Sequence, residues 1–280
     1  MTNTQQWTKR KLAGSLGVEL RGLDVRSLDD ADFARLRAAL VEHHVLVIRD
    51  QELTPPEQIA FGRRFGELDT HPFVDGSAEF PEVIDIVTEA DDKANFGGGW
   101  HTDVTFLDKP DLGSILFAVD IPEFGGDTLF ANQHAAYDAL SETMKGMLDG
   151  LTATHSAGRQ YGEGGQSTKS KAINTKNVEM ASNVVEHPVV RTHPESGRKG
   201  LYVNGAFTGK IRGMRPDESD ALLGFLYKHS VREAFTCRVQ WEEGTLVMWD
   251  NRSVQHHALH DYVGQRRHVR RITVQGDVPV

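Results

Sequence analysis

The chain has 280 residues, 39% apolar and 25% charged, which describes a soluble globular protein with enough material for one domain and a substantial core. Its net charge of -9 argues against a nucleic-acid surface, which needs a basic stripe, and leaves any anion to be held by local groups. The lone Cys237 excludes an internal disulfide framework, no apolar run would span a bilayer, and the start has no secretory h-region, so a reducing cytoplasm is the expected setting.

In chain order, Phe33, Leu36 and Leu40 follow helical spacing and lead into the apolar run Val45-Leu46-Val47-Ile48, which reads as a buried strand. A second helix starts at Thr54, with Pro55 in its first turn and Glu57 at capping-box spacing. Further helices are expected over 135–148 and 217–228, the latter burying Leu222, Leu223, Phe225 and Leu226. Strands are expected over 116–119, 189–192, 200–203, 235–241, 246–249 and 268–274. The mixture predicts a mainly β fold, a sandwich or jelly roll, with helices packed outside it. Between these elements, 158–177 is rich in Gly, Ser, Thr, Lys and Gln, with Tyr161, Ala172 and Ile173 as its main apolar residues. It reads as a mobile loop, either a surface insertion or a lid over substrate.

The most informative motif is His101-Thr102-Asp103, followed far downstream by His256. In an extended segment residues i and i+2 share a side, so His101 and Asp103 can reach one ion while Thr102 points away. Two imidazoles and one carboxylate cover one face of an octahedron, the ligand set of mononuclear non-haem iron(II) oxygenases. Phe96-Gly97-Gly98-Gly99 suggests a flexible loop running into that segment.

Four arginines fall within Arg266-Arg267-His268-Val269-Arg270-Arg271. Strand parity puts Arg267 and Arg271 on one face with Val269 and Thr273, and Arg266 and Arg270 on the other with His268. At about 3.3 Å per residue the two same-face guanidiniums are roughly 13 Å apart, enough for two different anions. Periodicity leaves open which pair faces inward.

These blocks, together with Leu46 to Asp50, Phe65-Gly66, Trp100 to Phe106, Gly125-Gly126-Asp127-Thr128-Leu129, His187 to Pro194 and Trp249 to Arg271, resemble the iron(II)/2-oxoglutarate-dependent taurine dioxygenase (TauD/TfdA) family over nearly the whole chain. The resemblance implies a double-stranded β-helix, the jelly-roll form, with Fe(II) held by His101, Asp103 and His256; it is the histidine after Gln255, rather than His257, that matches the family's ligand. It further implies that Thr128 and Arg267 hold the far carboxylate of 2-oxoglutarate, and that Arg271 and His71 contact the prime substrate. Phe73, Tyr161, Tyr202 and Phe207 are candidate aromatic walls, with a place in the core as the equal alternative for each. The implied activity is oxidative decarboxylation of 2-oxoglutarate with O2, giving succinate and CO2, coupled to hydroxylation of a small anionic organic substrate, in a protein expected to form a homo-oligomer.

Two positions depart from taurine dioxygenase: Gly97 stands where that enzyme has asparagine, and Phe73 where it has tyrosine. Both changes remove polar partners, which argues against taurine. The stretch Ser196 to Asn204 is similar to the phenoxypropionate branch and tilts the expectation toward a bulkier carboxylate or sulfonate. Two other classes are weighed against this reading. A zinc hydrolase could use the same three ligands but has no need of a second anion site at Thr128 and Arg267, and a noncatalytic jelly-roll protein has no need to keep all three ligands.

Overall fold

In the computed structural model, which describes residues 5–94 and 96–280, the elements in chain order begin with β1 (Thr8–Lys11), β2 (Val18–Arg21), α1 (Asp30–His43), β3 (Val45–Ile48), α2 (Pro55–Arg63), β4 (Leu68–Asp69), β5 (Ile84–Thr88) and β6 (Gly113–Asp120). They continue through β7 (Thr128–Asn132), α3 (Gln133–Asp138), α4 (Glu142–Leu148), β8 (Thr152–Ser156), α5 (Gly158–Tyr161), β9 (Val184–Pro188), β10 (Val190–Thr192), β11 (Lys199–Leu201) and β12 (Thr208–Ile211). The last are α6 (Pro216–Ser230), β13 (Thr236–Val239), β14 (Leu246–Asp250), β15 (Val254–Ala258) and β16 (Arg267–Val274). The first four residues of the start read for a signal lie outside the described residues. Among the described residues no helix is long and apolar enough to cross a membrane.

The larger sheet has the order β1-β2-β3-β14-β6-β16-β4, with β5 also on β16; a smaller sheet has β13-β7-β15. The two together are the jelly roll; α1 and α2 lie outside the larger sheet, while α3, α4 and α6 pack together with β8, β11 and β12. The run Val45–Ile48 is apolar throughout because both of its faces are covered. Leu46 and Ile48 pack with Leu36, Leu40, Ile59 and Phe61 of α1 and α2, while Val45 and Val47 pack between the sheets with Phe130, Val247, Trp249 and Val254. β16 divides in the same way. Ile272 and Val274 join the helix-side core, and Val269 joins an inner cluster with Phe73, Phe106 and Phe207, so Arg267 and Arg271 turn inward. Arg266 instead pairs with Glu89 and Asp120 at the surface, and Arg270 reaches the Leu53 carbonyl beside Phe117.

Helix ends follow the local chemistry. Asp29 caps α1 by accepting from the Asp32 N–H (2.8 Å), and the Glu57 carboxylate accepts from the Thr54 N–H (2.8 Å) at the start of α2. The single helix expected over 135–148 is two, because the Ser141 hydroxyl accepts from the Met144 N–H (3.2 Å) and starts α4 anew. The sequence reading does not include the short strands β1, β2, β5, β7, β8, β9, β12 and β15; β2 (Val-Glu-Leu-Arg) and β5 (Ile-Asp-Ile-Val-Thr) alternate, but each runs for only four or five residues, and the others lack a clear alternation. The expected loop 158–177 carries α5 and a short 3-10 turn, Ser167–Lys169. Its three apolar residues, Tyr161, Ala172 and Ile173, are all buried in the inner cluster, so they dock the segment against the barrel despite its polar composition. Cys237 is buried between the sheets, where desolvation pushes its thiol up to about 12, as suits an inert core residue.

At the turn after β14, the Asp250 carboxylate is fully buried, takes a two-pronged bond from Arg252 (2.8 and 2.7 Å), and lies 2.9 Å from His193 Nε2. Burial alone would raise its pKa, but Arg252 and His193 outweigh this and hold it well below the usual carboxylate range. A carboxylate depressed in the fold contributes stability that is present above its unfolded value near ~3.9 and is lost as pH falls below it. Asp250→Asn should therefore cost about 3 to 5 kcal/mol at neutral pH, because it leaves Arg252 short of a partner. It should also flatten the fall in stability between about pH 5 and pH 3, read by urea unfolding at each pH.

Candidate active site

His101 sits just outside the regular strands, and a single antiparallel bridge pairs it with His256 of β15: the His101 N–H donates to the His256 carbonyl (3.0 Å) and the His256 N–H to the His101 carbonyl (2.7 Å). Residues 155 apart in sequence are thereby placed ring to ring, with centroids 4.1 Å apart. Asp103 joins them, its Oδ1 lying 3.5 Å from His101 Nε2 and 3.7 Å from His256 Nε2. One donor atom from each residue lies within 4.8 Å of the others, a spacing that suits a single ion; among the described residues this is the one such group found. Thr102 points away, as strand parity predicts, and its hydroxyl donates to the Val254 carbonyl (3.0 Å).

The donor chemistry fits a cation. His101 Nδ1 lies 2.9 Å from the Gly99 carbonyl and so carries the proton, which leaves the Nε2 lone pair aimed at Asp103. Burial, and then the neighbouring His101, hold His256 well below its ordinary value, so it is neutral. For Asp103, burial alone would favour the protonated form, but the Arg271 guanidinium beside it outweighs this and holds the carboxyl well below its usual range. The Ser114 hydroxyl donates to its Oδ2 (2.9 Å). Two imidazoles and one carboxylate converge here, each with a donor atom facing the other two.

On the barrel side of this cluster lies a small cavity, lined by His101 and His256 and by Leu116, Thr128, Arg267 and Arg271 among others. Arg267 is buried, its guanidinium stacks over Trp241 (5.4 Å), and its Nε has no hydrogen-bond partner among the described residues. The Thr128 hydroxyl accepts from Trp241 Nε1 (3.1 Å), so its own O–H is free to donate into the cavity. Gly126, at φ +70, passes so close beneath Arg267 that a Cβ there would meet the arginine side chain at 3.1 Å, which explains the Gly125-Gly126 pair before Thr128.

A second small cavity shares His101 with the first and is lined by Asp103, His71, Gly97, Gln160, Tyr161 and Phe207 among others. Arg271 Nη2 lies 3.0 Å from Asp103 Oδ2, close enough for an ion pair, yet neither that nitrogen nor Nε makes an aligned hydrogen bond. His71 is buried; its Nδ1 accepts from the Phe73 N–H (3.1 Å), so its Nε2 carries the proton and points toward the Tyr161 hydroxyl (3.4 Å). Desolvation, and then Arg271, push His71 down to about 3, so it acts as a neutral donor. Phe73 stacks on Tyr161 (5.2 Å, 18°), and Phe106 closes the wall between Phe73 and Phe207.

Comparison with known proteins decides the family. The family described as "Taurine catabolism dioxygenase TauD, TfdA family" matches residues 8–273. The chain belongs to the TauD/TfdA family. It is 39% identical to an alkylsulfatase of Acinetobacter baylyi (98% of this chain, 87% of the relative) and 37% identical to an alpha-ketoglutarate-dependent sulfate ester dioxygenase of Pseudomonas putida (96% and 89%). It is 33% identical to the (S)-phenoxypropionate/alpha-ketoglutarate-dioxygenase of Sphingobium herbicidovorans (95% and 94%). The crystal structure of a taurine dioxygenase from Burkholderia xenovorans superposes with a TM-score of 0.82 at 36% identity, covering 98% of this chain and 92% of that one. AAD-2, solved in complex with Mn(II) and N-oxalylglycine, superposes with a TM-score of 0.80 at 29% identity (98% and 99%). As a TauD/TfdA protein, this chain is a 2-oxoglutarate-dependent dioxygenase, an oxidoreductase that uses Fe(II), 2-oxoglutarate and O2. That sets aside the hydrolase and the noncatalytic reading.

Of the residues singled out in the sequence, His101, Asp103 and His256 come together, Thr128, Arg267 and Arg271 share the first cavity, and His71, Tyr161 and Phe207 line the second, with Phe73 packed on Tyr161. Tyr202 is the correction: it lines neither cavity, because its ring packs between His155 and His187 with the Arg191 guanidinium over it (5.0 Å). His257 is also apart, edge-on to Trp100. Sequence reasoning missed Ser114, Trp241, Phe96 and Asn251. None has a diagnostic spacing, since each acts on a named site residue across the fold or lines a cavity from a loop.

Proposed function

We propose that His101, Asp103 and His256 hold iron(II), that Thr128 and Arg267 take the far carboxylate of 2-oxoglutarate, and that Arg271 and His71 hold the anionic head of a small organic substrate, a sulfate ester or sulfonate ahead of an aryloxyalkanoate. The observation that carries this is a pair of buried guanidiniums with unpaired N–H groups on one face of β16, both reaching the cavity that His101 and His256 also line. An unpaired buried charge is costly, and a bound anion relieves it. Arg267 offers a planar fork to a carboxylate, and the free Thr128 O–H satisfies a remaining lone pair. Bound iron(II), with 2-oxoglutarate and O2, supplies the oxidative chemistry that releases succinate and CO2 and hydroxylates the substrate. The chain's part is to fix the substrate's head at Arg271 and His71, so that the adjoining carbon lies against His101 and Asp103, and to exclude water with Phe73, Phe106 and Phe207. Residues 158–177 are read as the cover on this side, anchored by Tyr161.

The choice of head group rests on two supports. The relatives named for sulfate esters exceed the phenoxypropionate enzyme in identity, and the stretch 196–204 that favoured the latter lines neither cavity. Taurine finds no partner for its amine at Gly97 or Phe73, which offer no polar side chain. The test is a panel of alkyl sulfates, alkanesulfonates, aryloxyalkanoates, taurine and neutral alcohols, scored by succinate and by product. An alkyl sulfate oxidised at the carbon bearing the ester oxygen should yield an aldehyde and inorganic sulfate. Arg271→Ala should lower turnover of the best anion on the order of 100-fold while leaving 2-oxoglutarate binding near wild type. A neutral alcohol processed better than every anion would sink the anionic-substrate reading.

A further inference from the structure

We infer that Asn251 is a positioning residue for the metal-binding carboxylate, a side-chain clamp that fixes Asp103 to the turn leading into the strand of His256; this rests on His101, Asp103 and His256 being the iron ligands. The bridge to His256 ties down His101 but ends there, so Asp103 has no strand neighbour. Asn251 takes that neighbour's place. Its Oδ1 accepts from the Asp103 N–H (2.8 Å), and its Nδ2 donates to the Asp103 carbonyl (3.0 Å) and to the Asp111 carbonyl (3.1 Å). Both peptide groups of Asp103 are therefore gripped by one amide, and the direction of its Cβ follows. Asn251 is itself fully buried, and its N–H donates to the Leu112 carbonyl (2.9 Å).

The next residue shows how tightly this point is determined. Val104 has φ +46, a left-handed conformation that a β-branched residue rarely adopts. Such backbone persists where the surroundings over-determine it. Here the clamp holds the chain on one side, and the Val104 carbonyl accepts from the Leu107 N–H (3.0 Å) on the other. The result is one common frame: β14, its turn and β15 carry His256 directly, His101 by the bridge and Asp103 by Asn251. Outer partners that orient metal ligands typically matter 10- to 100-fold in metal affinity.

The test is Mn(II) affinity of the metal-stripped full-length protein, measured from the EPR signal of the free ion, with melting temperature recorded in parallel. Asn251→Ala should raise the Mn(II) dissociation constant about 10- to 100-fold. Gln51 is the matched control, a buried amide with the same three-bond pattern elsewhere: its Nε2 donates to the Leu23 and Arg49 carbonyls, and its Oε1 accepts from the Val25 N–H. Gln51→Ala should lower the melting temperature comparably while moving Mn(II) affinity less than about twofold. Asn251→Ser, a smaller perturbation, serves if the alanine variant does not fold, and Asp103→Ala reports on the ligand itself. If Asp103→Ala loses Mn(II) while a folded Asn251 variant binds within about twofold of wild type, or if Gln51→Ala weakens binding equally, the positioning role is wrong. Unchanged binding in Asp103→Ala would overturn the ligand assignment beneath it.

Discussion

Arg267→Ala is expected to raise the 2-oxoglutarate requirement by about 30- to 5000-fold, with Arg266→Ala close to wild type. The guanidinium at 267 is buried, and burial works against its charge; its Nε has no partner, and its ring contact with Trp241 fixes its orientation without using its hydrogen-bond donors. Removing one partner of a buried, hydrogen-bonded charge pair costs about 2 to 5 kcal/mol, most of it from the anion left unpaired. Thr128 cannot compensate, because a hydroxyl contributes one donor and no charge. Arg266, in contrast, is bonded to Glu89 and Asp120 on the outer face, where exposed ion pairs contribute little. The measurement is titration of 2-oxoglutarate against the Fe(II) protein without O2. Equal losses in the two variants would mean that the strand faces are assigned wrongly.

Much of this site was legible in the sequence because its key residues are tied by local rules. His101 and Asp103 share a side through the two-residue strand period, and the same period separated Arg267 and Arg271 from Arg266 and Arg270. What the period could not supply was the inward face, since Ile272 and Val274 made the outer side equally apolar; the packing of α1 and α2 over that side resolves it. The choice of His256 over His257 rested on resemblance, and in the structure the backbone bridge and the nearness of Asp103 fall on His256. Tyr202 takes the core alternative, a buried stack with His155 and His187, and an aromatic residue near a site motif has no signature that separates this from a cavity wall. The 158–177 segment was read from composition, and three buried side chains were enough to dock it. Asn251, Ser114 and Trp241 work through long-range contacts that no spacing encodes.

We propose that one ion is held by His101, Asp103 and His256, with 2-oxoglutarate bound in the cavity beside it. Losing any of these three donors leaves two of a facial set, and the neutral His257, edge-on to Trp100, is not placed to replace His256. His256→Ala should therefore bind Fe(II) far more weakly and turn over no substrate, whereas His257→Ala should keep both. The most direct measurement is the weak visible charge-transfer band that an Fe(II)-bound keto acid gives in the absence of O2. A full band is expected in wild type and His257→Ala, and none in His101→Ala, Asp103→Ala or His256→Ala. A band of full strength in His256→Ala, with its loss in His257→Ala, would contradict this assignment.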